Sequence, residues 1–156
     1  METARFQLVS GARTDGRLDP LWPVVTHRSS LEPADTSPGA DSQTPWYGWR
    51  LLSRNHRDLA RSPAVYPTIV DCLASVAVAR DAVARAETVL ARHGSTGRWT
   101  WHLETPERAV AAGSRGYMRR RECHDCVVQV VELVAVALDP EPRVVAALRN
   151  RRPVRP

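Results

Sequence analysis

The sequence predicts a single α+β domain in which two tandem β-rich repeats share one sheet and their helices pack on one of its faces. Three observations carry this. Aromatic and aliphatic side chains alternate at Tyr47, Trp49 and Leu51 and again at Trp99, Trp101 and Leu103, the period of a half-buried strand. The second triplet repeats the first at an offset of 52. Behind each triplet a stretch with apolar residues three and four apart reads as an amphipathic helix.

Residues 11–45 hold five of the 12 prolines with Gly11, Gly16 and Gly39 and keep no period, so they read as a loop or disordered insert. Pro23 restricts the stretch 21–27 to an edge strand at best. Order in the pattern begins at Trp46, which stands outside the alternation and reads as the freest aromatic; Trp49 and Trp101 read as core. The offset of 52 continues through Leu59 over Ala111 and Ser62 over Ser114. One extra residue in SerProAlaValTyr, against SerArgGlyTyr, then shifts it to 51, setting Tyr66 over Tyr117 and Cys72 over Cys123.

Short second strands are expected at 57–61 and 108–112, reached through turns bearing Asn55 and Pro106. Thr68 with Asp71 three residues on marks a helix start, and Ile69, Cys72, Leu73, Val76 and Val83 form its inward stripe. Alanine and arginine over 77–92 favour continued helix. The strand at Trp99 needs a partner, however, and 88–92 ahead of the turn 93–97 supplies one. The second helix shows the stripe Cys123, Val127, Val130, Val134 and Leu138 and must stop near Asp139, because Pro140 follows. The organisation is therefore an insert at 11–45, repeat 1 at 46–86, repeat 2 at 87–148 and a basic tail at 149–156.

This pattern resembles the YegP-like family of small tandem-repeat proteins. It has an aromatic-x-aromatic-x-Leu strand, a turn, a short strand ending near Ser, then Tyr and a helix with a small residue six positions on. Here these are Trp49, Leu51, Ser62, Tyr66 and Cys72, then Trp101, Leu103, Ser114, Tyr117 and Cys123. The resemblance covers about residues 47–138. It implies two β-β-β-α-β units merged into one antiparallel sheet, the strand after each helix being exchanged between units. Phe6 to Val9, within residues 1–10, then becomes a first strand displaced by the insert. The family's Asn-Gly hairpin is replaced by AsnHis (55–56) and GluArg (107–108). The resemblance implies no catalytic residues, and a shared fold does not carry function.

Composition narrows the classes. The chain has 156 residues, 43% hydrophobic and 25% charged, which excludes fibrous and wholly disordered proteins. The most apolar run, Cys126 to Leu138, is interrupted by Gln129 and Glu132 and is too short to span a bilayer. The N-terminus lacks an apolar signal core, and three cysteines cannot build a disulfide framework, so a cytoplasmic protein with reduced thiols is expected. All 22 basic residues are arginine. Four of them, Arg149, Arg151, Arg152 and Arg155, lie in the tail, and without it the formal net charge of +5 falls to +1.

Each candidate for chemistry has a plain structural alternative. CysHisAspCys (123–126) sets two thiols on one side of a helix, suited to a metal or a dithiol switch; a tetrahedral zinc site would need two more ligands, for which Cys72 and His102 are conceivable. The alternative is that Cys123 and Cys126 are small core residues. Arg119, Arg120 and Arg121 crowd a helix start, where the macrodipole disfavours cations and a bound phosphate would relieve the conflict. With Arg149, Arg151 and Arg152 they are the candidate nucleic-acid contacts; the alternative is a solvated basic turn. His56, His93 and His102 have no neighbouring carboxylate at catalytic spacing, and no phosphate loop, catalytic triad or HExxH motif occurs. The expectation is a non-enzymatic binding or interaction protein without a cofactor or membrane span. Its partner is another protein or a second copy of itself, completing an open sheet edge, and sequence-independent RNA or DNA binding is the alternative.

Overall fold

Period-two burial along the chain builds a sheet, and the two long apolar stripes cover it. The computed structural model describes residues 3–12, 45–141 and 143–146. Of the expected insert at 11–45, Gly11, Ala12 and Pro45 lie in paired strands instead, while residues 13–44, including 21–27, and the arginines of the tail lie outside the described residues. Strands β1 (Arg5–Ala12), β2 (Pro45–Leu52) and β3 (Asp58–Arg61) precede helix α1 (Ile69–Ala82). A 3₁₀ turn (Val83–Arg85) leads to β4 (Glu87–Arg92), β5 (Trp99–Glu104), β6 (Ala109–Gly113), helix α2 (Arg120–Val136) and β7 (Val144–Ala146). The seven strands form one sheet in the order β4-β5-β6-β3-β2-β1-β7.

The sheet is mixed, which corrects the expectation of a purely antiparallel one. Beyond α2 the chain reaches β1 at its start, where Leu138 N–H donates to Ala4 O at 2.9 Å and Phe6 N–H donates to Leu138 O at 3.1 Å. It then runs alongside β1 in the same sense, pairing Val144 with Leu8 and Ala146 with Ser10.

Both hairpins carry a register shift, between Leu51 and Leu52 and between Leu103 and Glu104. Leu51 faces Ala60, whereas Leu103 faces Ala111, so the second hairpin is one residue shorter. The same number of positions separates Ala60 from Tyr66 and Ala111 from Tyr117, so the one-residue difference in length falls in the hairpin turn. The extra residue is His56. Its N–H donates to Ser53 O at 2.9 Å and its φ is +60°, the left-handed conformation that usually selects glycine after such a turn. The shorter hairpin closes with Thr105 N–H on Arg108 O at 2.8 Å, with Pro106 at the position where its fixed φ suits the turn.

One core unites the helices with one sheet face: Phe6, Trp49, Leu51, Trp101 and Leu103 meet Cys72, Val76, Cys123, Val130 and Val134, all buried. Phe6 meets Trp49 edge to face, with ring centroids 5.2 Å apart. Thr68 caps α1 by accepting from Asp71 N–H at 3.1 Å. Three expectations fail in this layer. Ile69 and Leu73 point outward, 38% and 41% exposed, because Cys72, Val76, Ala79 and Ala82 form the inward stripe. Leu138 is exposed, since α2 ends at Val136 and the following residues turn to join β1. Trp46 is buried, packing on the opposite sheet face with Val9 and Val65. It lies over Gly11, its cross-strand partner, where an added Cβ would overlap the indole.

Candidate functional site

The start of α2 is held against the start of β5 by a backbone bridge. Trp99 N–H donates to Tyr117 O at 2.7 Å, and Tyr117 N–H donates to Trp99 O at 2.8 Å. This bridge gathers cations from three separate stretches of chain. Arg119 is the N-cap residue of α2, and Arg120 and Arg121 open its first turn; all three are exposed. The Arg120 guanidinium lies 5.9 Å over the Trp99 ring and that of Arg115 4.9 Å over the Tyr117 ring, both within cation–π range. Arg92 pairs across the ladder with Trp99 and donates to Gly97 O at 3.2 Å. The stem of Arg98 rests on Gly116, so close that a Cβ there would come within 2.9 Å of it.

These six arginines take no part in the ion pairs Arg61–Asp58, Arg80–Asp139 and Arg85–Asp81. Unlike Thr68 in α1, Arg119 makes no side-chain cap bond, so the first N–H groups of α2 keep no side-chain acceptor from the cap position. Guanidinium donors and helix N-terminal N–H groups directed outward together suit the oxygens of phosphates. Of the residues singled out in the sequence, Arg119, Arg120 and Arg121 meet here, whereas Arg149, Arg151 and Arg152 lie outside the described residues. Arg92, Arg98 and Arg115 were missed, because only the tertiary bridge brings their loops to the helix start.

The cysteines occupy different surroundings. Burial pushes the Cys72 thiol up to about 12 and that of Cys123 up to about 11, away from the thiolate that metal binding and exchange require. Cys126 Sγ–H donates to Leu59 O at 3.7 Å. Burial first, and a hydrogen bond with Cys126 second, push the Tyr117 hydroxyl up to about 12. Among the described residues no three His, Cys, Asp or Glu side chains converge as a metal set. His102 alternates with the core residues Trp101 and Leu103, so it faces away from the cysteines. Contrary to the sequence reading, it does have a carboxylate neighbour: its Nε2 lies 3.1 Å from Glu104 Oε2. Residues i and i+2 on a strand share a face, and that signal was legible in HisLeuGlu.

No protein-family model matches the chain, and no curated protein matches it. Two solved structures share its architecture. One is the solution NMR structure of yegP from E. coli, a protein of unknown function; at 11% identity it covers 94% of this chain and 97% of its own, with a TM-score of 0.55. The other is UPF0339 protein SO3888 from Shewanella oneidensis, at 7% identity, 92% and 91% coverage and a TM-score of 0.53. The chain has a YegP-like fold. Identities this low carry the fold alone.

Proposed function

We propose that this chain is a non-enzymatic binding module that holds a nucleic-acid backbone, without sequence preference, at the arginine end of the sheet. The observation that carries the reading is the convergence of Arg92, Arg98, Arg115, Arg119, Arg120 and Arg121 around the α2 start, none of them in an ion pair among the described residues, with Glu122 attracting Arg115 at longer range. Phosphate oxygens would accept from the guanidinium groups and from the first N–H groups of α2, and release of condensed counterions would drive association. Fluorescence anisotropy of a labelled 20-base-pair duplex at low salt tests this. Saturable binding that weakens steeply with salt is expected, and a flat titration at low salt overturns it.

The finer architecture belongs to the same reading: two duplicated β-β-β-α-β units, residues 46–86 and 87–148, with β1 belonging to the first. The matching register shifts support it, as do the bridges Tyr47–Tyr66 and Trp99–Tyr117, each made of two N–H···O bonds. A reducing, cytoplasmic setting is favoured by three cysteines that are buried as free thiols. Self-association is a second reading. It has β4 in its favour, since Glu87–Arg92 ends the sheet and pairs through one edge only among the described residues. Sedimentation at high concentration tests it: a dimer is expected, and a strict monomer discards it.

A further inference from the structure

A cleft of about 640 Å³ lies between β3 and the outer side of α2, and a smaller one of about 270 Å³ lies between β6 and α1. Every residue lining the smaller cleft has a counterpart in the larger at an offset of 51, while Arg61, Ser114 and Arg115 line the larger alone. Each has an arginine (Arg57, Arg108), a tyrosine (Tyr117, Tyr66), an acid in the first helical turn (Glu122, Asp71) and a small side chain with a hydrogen to donate (Cys126, Ser75). In both clefts the tyrosine hydroxyl meets the small helix side chain, Tyr66 with Ser75 and Tyr117 with Cys126, and the smaller one is walled by apolar groups besides. The Tyr66 hydroxyl donates to Ser75 Oγ at 2.6 Å, Trp49 Nε1 donates to the same oxygen at 3.0 Å, and Ala74, Val78 and Ala109 fill the walls.

At the three corresponding places the larger cleft carries Asp125, Gln129 and Asp58. Its indole counterpart, Trp101, keeps a buried Nε1 without a hydrogen-bond partner, lying over Gly113. Asp58 is neutralised within the fold by Arg61, which donates from Nε at 3.0 Å and from Nη2 at 2.9 Å to Oδ2. Four charges remain in the lining: Arg57 and Arg115, the latter stacked on Tyr117 and attracted by Glu122, and the carboxylates Glu122 and Asp125 three residues apart on α2. An anion would be drawn to the arginines and repelled by the carboxylates near them, and a cation the reverse. A molecule bearing both signs a few ångströms apart satisfies both, with Gln129 offering a donor and an acceptor beside it.

We infer that the larger cleft binds a small zwitterion of the amino-acid or dipeptide kind, its carboxylate toward Arg57 and Arg115 and its ammonium toward Glu122 and Asp125. The inference shares Arg115 with the nucleic-acid reading but rests on the cleft lining, and Arg57, Asp125 and Gln129 belong to it alone. Amide chemical-shift mapping of the full chain with glycylglycine as probe tests it, with N-acetylglycylglycine and glycylglycinamide as the singly charged controls. Shifts confined to 57–61, 114–117 and 122–129 are expected, with the blocked dipeptides binding at least tenfold more weakly. The double substitution Asp125→Ala with Gln129→Val restores the lining of the small cleft at exposed positions and is expected to abolish the shifts; Arg57→Gln is expected to weaken binding at least fivefold. Absence of shifts at tens of millimolar glycylglycine, equal binding of the blocked forms, or unchanged binding in both variants overturns it.

Discussion

Replacing Arg80 by Met tests how the two helices are joined at their far ends. Arg80 leaves the last turn of α1, lies 4.9 Å over the Phe6 ring and donates from Nη2 to Ala137 O at 2.6 Å, just beyond α2. Its other terminal nitrogen reaches Val134 O at 3.3 Å, and Nη2 also meets Asp139 Oδ1 at 2.8 Å. A hydrogen bond from a charged donor contributes roughly 1.5–3 kcal/mol, and the short bond to Ala137 counts in full while the long one adds little. The stack on Phe6 contributes about 0.5–1 kcal/mol. The Asp139 side chain is 88% exposed, so that ion pair contributes about 0–0.5 kcal/mol. Methionine keeps the stem and loses the rest, and the expected cost is about 3 kcal/mol. Arg80→Lys recovers part of it, because a point charge cannot span two carbonyls, and Asp139→Asn costs under about 0.5 kcal/mol. Urea denaturation followed by tryptophan fluorescence reads all three. A loss below about 1 kcal/mol in Arg80→Met, or an equal loss in Asp139→Asn, refutes the argument that carbonyl capping holds the helix ends together.

Changing Arg119, Arg120 and Arg121 together to Gln should lower the magnitude of the log–log salt slope of duplex binding by roughly 2–3 if each engages a phosphate; an unchanged slope removes them from the interface. His56→Val should destabilise the fold by about 1–2 kcal/mol more than His56→Gly, because a β-branched side chain resists the left-handed conformation while both variants lose the contact between Arg5 and the ring; thermal melts of the pair decide. Gly11→Ala should cost about 1–3 kcal/mol through collision with Trp46, and a neutral result would mean the indole can move aside. Cys123, raised by burial from 9.0 to about 11, should react with iodoacetamide at neutral pH on the order of a hundredfold more slowly than in the unfolded chain. Since folding favours its protonated form, stability should be intact below pH 9 and decline as pH rises from 9 toward 11; a flat profile there contradicts the burial argument.

Period-two alternation announced β2 and β5, since a sheet with one buried face must place Trp49, Leu51, Trp101 and Leu103 on the same side. The cap at Thr68 and the partner strand at β4 were legible for equally local reasons: a side-chain oxygen three residues before a free N–H, and a strand that needed a neighbour. The candidate surface was legible only in its α2 portion, where three arginines adjoin in sequence. Arg92, Arg98 and Arg115 gave no local sign, because what unites them is the pair of bonds between Trp99 and Tyr117.

Local chemistry alone decided which residues extend and which coil, and which side of β2 and β5 is apolar, because these depend on side chains a few positions apart; the buried side of α1 was settled by packing, which turned Ile69 and Leu73 outward. Only the assembled sheet decided that β7 runs parallel to β1, that Trp46 is enclosed over Gly11, and that His56 is the extra hairpin residue. It also decided that two like-framed clefts form, one walled by Ala74, Val78 and Ala109 and the other by Asp125, Gln129 and Asp58. Each depends on contacts between segments far apart in the chain, and those distances exist only once the backbone hydrogen bonds have set the register.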